Sequence, residues 1–68
     1  MAVTKIIELV GSSNAGSDDA VQSALAEAKA TIRNIKALDI VSVGLRGENL
    51  DQWRALVRIS FLVERVSE

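Results

Sequence analysis

Histidine and cysteine are both absent from this 68-residue chain, and with them the imidazole base and the thiolate that most covalent catalysis needs. No serine can be activated by a Ser-His pairing, so hydrolysis through a protein nucleophile is close to excluded. Four groups of residues keep some chemical capacity. Gly11-Ser12-Ser13 stands between an apolar run and a helical pattern, where a phosphate loop would stand. It lacks the glycine spacing and the lysine of a Walker sequence, and a sharp turn into the helix accounts for its small residues. Asp18-Asp19 could chelate a divalent ion where subunits meet, although acidic residues in a first helical turn also answer the helix dipole. Arg54 and Arg58 project from the same face of a strand and could contact an anion, a phosphate or a carboxylate. Their competing role is to pair with Glu48, Asp51 or Glu64. Trp53 and Phe61 are the only aromatic residues, and Trp53 falls in the register of core positions, which favours packing over ligand stacking.

The elements that must carry these residues are legible from periodicity. Val3 to Val10 is a β-rich run that ends at a cluster of turn residues, Gly11 to Gly16. Ser17 is placed to cap a helix, Asp18 and Asp19 suit its positive end, and Lys29, Arg33 and Lys36 suit its negative end. Val21, Ala24, Leu25, Ala28, Ile32 and Ile35 recur at helical spacing and form one apolar stripe. After Lys36 the period changes to two through ALDIVSVGL, then Arg46 to Asn49 turn the chain into a last strand from Gln52 to about Arg65. Its odd positions, Trp53 to Val63, are apolar and should meet the helix. Its even positions are mixed, and in the preceding strand Leu38/Ile40 and Val41/Val43 are apolar on alternate faces, a pattern that suggests subunit contact. The expected fold is α+β with the order β-α-β-β, a three-stranded antiparallel sheet wrapped around one helix in a single domain, residues 1–68. The expected core is Val21, Leu25, Ile32, Ile35, Leu38, Ile40, Val57, Ile59 and Phe61.

Size adds a constraint. A chain this short buries only about 60% of the surface its unfolded form exposes and usually needs reinforcement. Without Cys or His there is no disulfide and no ordinary zinc site, which leaves association with other subunits. Forty-nine per cent hydrophobic residues is rich for so small a chain, and the surplus reads as interface. Eight basic residues oppose nine acidic ones, without a basic run or stacking aromatics, so nucleic acid is not an expected partner. No apolar run approaches the length of a membrane span and no signal-peptide layout is present, so no membrane is expected and the expected location is cytoplasmic.

The order of motifs resembles the dodecin family along nearly the whole chain. KIIELVGSS (Lys5 to Ser13), DDAVQSALAEA (Asp18 to Ala28), IRNIKALDI (Ile32 to Ile40) and RISFLVE (Arg58 to Glu64) carry the resemblance, and their combination is specific. It implies a β-α-β-β subunit, twelve of which form a hollow sphere of cubic symmetry, a homododecamer. It also implies storage or buffering of a small ligand, a flavin such as riboflavin or FMN, stacked between tryptophans of symmetry-related subunits. The family's flavin tryptophan directly follows the RN-hydrophobic-basic segment, and here that place holds Ala37. The family's glutamine, which bonds the flavin's pyrimidine edge, falls at Arg54 when counted back from Phe61. A stacked indole buries about 150–250 Å², so at about 25 cal/mol/Å² its loss removes several kcal/mol of affinity per ring. Flavin binding is therefore expected to be weak or lost, with an anionic small molecule, Arg54 and Arg58 its contacts, as the replacement. The alternative is a structural shell with no organic ligand, carrying calcium or magnesium on carboxylates at its symmetry axes. An enzyme is not expected, because the chemistry would have to come from a partner.

Overall fold

The computed structural model describes residues 3–63 and has the expected order: β1 (Val3–Ser13), α1 (Ser17–Thr31), β2 (Ile35–Arg46) and β3 (Gln52–Val63). The sheet is antiparallel throughout with strand order β1-β3-β2, so the last strand is the central one. The odd residues of β3 turn toward the helix, and Ala55, Val57 and Ile59 are fully buried there. On the helix the buried positions are Ala20, Ala24 and Ala28, a ridge at four-residue spacing. Where this ridge crosses β1 the strand carries Gly11. A Cβ at that position would run into the backbone carbonyl of Ala20 and stand 2.9 Å from the amide of Ala24. Only a residue without a side chain lets the two backbones come this close.

The helix packs over β1 and β3 and touches β2 only lightly. Around the small-residue seam are gathered the half-buried Ile7, Leu9, Val21, Ile32, Ile35, Leu38 and Trp53. Most of the expected core is therefore present, with corrections. Ile40 is 56% exposed, because β2 lies at the sheet edge that the helix does not cover. Leu25 and Phe61 are only half-buried and lie outside the central cluster.

Several boundaries also differ from expectation. β1 runs on through Gly11-Ser12-Ser13, which pair with Ala55, Arg54 and Trp53 and do not form a loop. The helix starts at Ser17 with Gly16 as its N-cap, and no side chain caps it. It stops at Thr31, since Ile32 is already extended and Asn34 takes a left-handed conformation, φ 62°. Ile35 thus belongs to β2, and of the expected basic residues only Lys29 lies in the last turn. In β2 the change of apolar parity is a register shift between Ile40 and Ser42. Val41 is the extra residue, so Ile40 and Val43 both stand opposite inward residues of β3, Val57 and Ala55. The subunit is long, 55 by 19 by 15 Å. Its accessible surface of 5051 Å² exceeds the roughly 4,200 Å² expected of a compact monomer of 7.3 kDa.

Candidate functional site

The face of the sheet turned away from α1 is made by the even residues of β3 and their cross-strand partners, and consecutive rows differ in chemistry. In one row Glu8, Arg58 and Asp39 stand side by side. Arg58 donates to Glu8 Oε2 through Nη2 at 2.8 Å and through Nε at 3.3 Å. Both side chains are about half exposed, so this pair contributes about 0–1 kcal/mol, but it sets the direction of the guanidinium. The next row is Val10, Leu56 and Ser42, an apolar step with one hydroxyl. The row after that is Ser12, Arg54 and Gly44, where no carboxylate faces the arginine.

Beyond Gly44, on the same face, lies Arg46. Its Nη1 donates to the carbonyl of Leu45 at 2.9 Å, which folds the side chain back along the strand. A Cβ on Gly44 would stand 2.8 Å from that nitrogen, so glycine provides the room for the fold-back. Arg46 and Arg54 thereby border one groove of about 330 Å³ whose floor includes Val10, Ser42 and Leu56. Among the described residues, the single ion pair is Arg58 with Glu8, and neither groove arginine has a carboxylate partner.

These placements sort the residues singled out in the sequence. Arg54 and Arg58 do share a face, but four residues of strand separate them by about 13 Å, with Leu56 between, and Arg58 is turned to Glu8. The pairing of Arg58 is thus with Glu8, not with Glu48 or Asp51, while Glu64 lies outside the described residues. Arg46 was missed, and its signal becomes visible only once the register shift in β2 places it on the outer face. Ala37 is exposed on that face opposite Ser60, about 20 Å along β3 from Arg54. One chain alone does not bring these two expected ligand positions together. Trp53 packs against the core cluster, as its register implied. Ser13 accepts the Ala15 amide at 2.9 Å and donates to Asp19 Oδ2 at 2.6 Å, so this hydroxyl and this carboxylate tie the strand exit to the helix start. Among the described residues no three Asp or Glu side chains cluster in metal-binding fashion, and no helix is long and apolar enough to cross a membrane.

The fold thus defines a class of small two-layer subunits, one helix on one face of a three-stranded sheet whose other face is open. The dodecin family model matches residues 3–64. Among solved structures, a single-substitution variant of the Thermus thermophilus dodecin is 31% identical, with 96% of this chain and 100% of that chain covered and a TM-score of 0.85. The dodecin of Streptomyces coelicolor is 25% identical, with 96% of each chain covered and a TM-score of 0.88. The calcium-chelating calcium dodecin of Mycobacterium tuberculosis shares the fold at 18% identity, with 97% of each chain covered and a TM-score of 0.82. No curated protein matches the chain. The chain belongs to the dodecin family.

Proposed function

We propose that this chain is the subunit of a hollow homododecameric shell that binds and stores a small molecule, without catalytic activity and in the cytoplasm, and that it holds riboflavin only weakly. The observation that carries the shell is the amount of apolar surface one chain leaves uncovered. Ile40, Val41, Val43 and Leu45 on β2 and Ile6 and Val10 on β1 are each 37–57% exposed, on a subunit too elongated to cover them itself. Membership of a family that forms homo-oligomers supports the same reading. For the ligand, the support is Ala37, a methyl group where the family presents an indole.

Light scattering on the purified protein should give twelve subunits; a monomer or dimer at micromolar concentration would remove the shell. In a riboflavin titration read by fluorescence quenching, Ala37→Trp should bind far more tightly than the unaltered protein, by up to thousands-fold from the area an indole buries. Submicromolar binding by the unaltered protein would overturn the weak-flavin reading. A structural or divalent-ion-binding shell is the second reading, favoured by the exposed Asp18 beside Asp19 at the helix start. Its mark would be colourless protein whose assembly is lost on chelation of calcium or magnesium.

A further inference from the structure

We infer that subunits join head to tail: the tip of the β2–β3 hairpin of one copy, with Leu50 as its knob, seats in the hollow at the end of α1 on a second copy. The inference rests on the shell reading above and names two of the surfaces that meet in it. The first support is the backbone at Leu50. Among the described residues other than glycine, Asn34 and Leu50 have positive φ, 62° and 51°. Asparagine tolerates that region, but a leucine there carries a steric cost that glycine or asparagine would avoid. Leu50 is held in place by the bond from its amide to the Gly47 carbonyl, 3.1 Å, and at 61% it is the most exposed large apolar side chain among the described residues. A conformation that costs free energy and presents an apolar side chain to water points to a compensating contact.

The second support is what the other end of the chain offers. Ile32, Phe61, Leu62 and Val63 give an apolar lining to a hollow of about 370 Å³, which Thr31 and Arg33 also line. Lys29 and Lys36 flank this segment in sequence and Lys5 pairs with Phe61, while Glu27 is the one acid in the last two turns of α1. The tip has the opposite sign. Glu48 and Asp51 flank Leu50, and the guanidinium of Arg46 at its foot folds back to the Leu45 carbonyl. An acidic apolar knob and a basic apolar hollow are complementary. The length of β3, twelve residues and about 40 Å, lies between them, so no chain reaches its own hollow and the knob must enter another copy. The accessible surface of 5051 Å² exceeds that of a compact monomer by close to the 800 Å² or so that one partner buries in a stable interface.

The chain has no cysteine, so an engineered pair reports the contact without background. The double variant Thr31→Cys with Leu50→Cys, treated with a short bis-maleimide linker at micromolar concentration, should give covalently joined subunits on a denaturing gel. Either single variant should stay unjoined. Joining by Leu50→Cys alone would mean that tips meet tips, and a double variant that stays unjoined would mean that tip and hollow lie apart; each overturns the contact. Leu50→Gly and Leu50→Asn supply a second measurement, because both relieve the backbone. For a tip in water they should leave assembly unchanged and raise the thermal midpoint. Seated in the hollow, each should raise the concentration at which the shell half-dissociates by about tenfold or more, the effect of losing one buried leucine. Circular dichroism confirms that each variant is folded, and two folded variants that assemble as well as the unaltered protein overturn the contact. Light scattering on the unaltered protein keeps this outcome separate from the shell. A dodecamer without the Thr31–Leu50 link loses only the contact, an oligomer of another size that forms the link loses only the shell, and a monomer loses both.

Discussion

The two faces of β3 are built from alternate residues of one twelve-residue strand, and they do opposite things. Ala55, Val57 and Ile59 face inward and are fully buried, while Arg54 and Arg58 face outward and are exposed. The inner face is itself divided. Over β1 and β3 the helix sits close, on alanines and a glycine; over β2 it is too far away, and Ile40, Val43 and Leu45 stay open. A chain with so narrow a core of its own is marginal alone, and in the proposed shell the uncovered strip of β2 is where other subunits would add stability. The outer face also leaves apolar side chains open, Ile6 and Val10 on β1, but beside them it carries rows of charge and hydroxyl groups.

Gly11→Val is the severest way to break the inner face. Overpacking costs about 1–3 kcal/mol where side chains can shift aside, but here the obstacle is the helix backbone at Ala20 and Ala24, so the loss should exceed that range. The variant should be recovered unfolded or aggregated, as judged by circular dichroism and gel filtration. A folded Gly11→Val protein of normal stability would mean that the helix does not cross the strand at this point.

Ile59→Ala and Ile40→Ala compare the covered and uncovered parts of the inner face. Ile59 is fully buried, and its truncation should lower stability by about 2–5 kcal/mol in chemical denaturation. In an isolated chain Ile40→Ala would cost less than about 1 kcal/mol, since the side chain is more than half exposed. If other subunits cover the β2 strip, the cost should be larger and the midpoint should fall more steeply on dilution than in the unaltered protein. A small loss at every concentration would show that the strip faces water in the assembly. On the helix, Ile32→Ala should cost more than Leu25→Ala, about 1–2 kcal/mol against about 1, because only Ile32 packs on the central cluster.

How much of this was legible in the sequence follows from the strength of each local signal. The order of elements and the inward face of β3 were legible because Val57, Ile59 and Phe61 alternate strictly with polar residues. The end of α1 was not, because Ile32 and Ile35 continue the helical stripe after the helix has stopped; Asn34, at ease with positive φ, was the available sign. The extension of β1 was hidden by small residues, which read as a turn but are there because the helix backbone lies over Gly11. Ala24 and Ala28 stood in the expected stripe, but the burial of Ala20 was not legible, since alanine gives little periodic signal. The exposure of Ile40 depends on strand order, which alternation cannot encode. The candidate site was the least legible part, because the distinction between Arg54 and Arg58 lies in which residues of β1 and β2 stand beside them, a property of register alone.

Glu8→Gln sharpens that last distinction and should have the smallest effect. The Glu8 and Arg58 side chains are 46% and 48% exposed, so solvent screens their attraction, and exposed pairs of this kind contribute about 0.2–1 kcal/mol. Asp39 remains on the other side of Arg58 as a substitute partner, which should bring the loss below about 0.5 kcal/mol and erase it at high salt. The charge that matters is therefore shared within the row, and removing one carboxylate does not turn Arg58 into a second Arg54. Denaturation midpoints of the unaltered protein and Glu8→Gln, measured at low and high salt, check this. A salt-independent loss above about 1 kcal/mol would mean that the row is desolvated in the assembled protein. Arg58 would then belong to a contact between subunits, and the contrast between the two arginines would be one of burial as well as of neighbours.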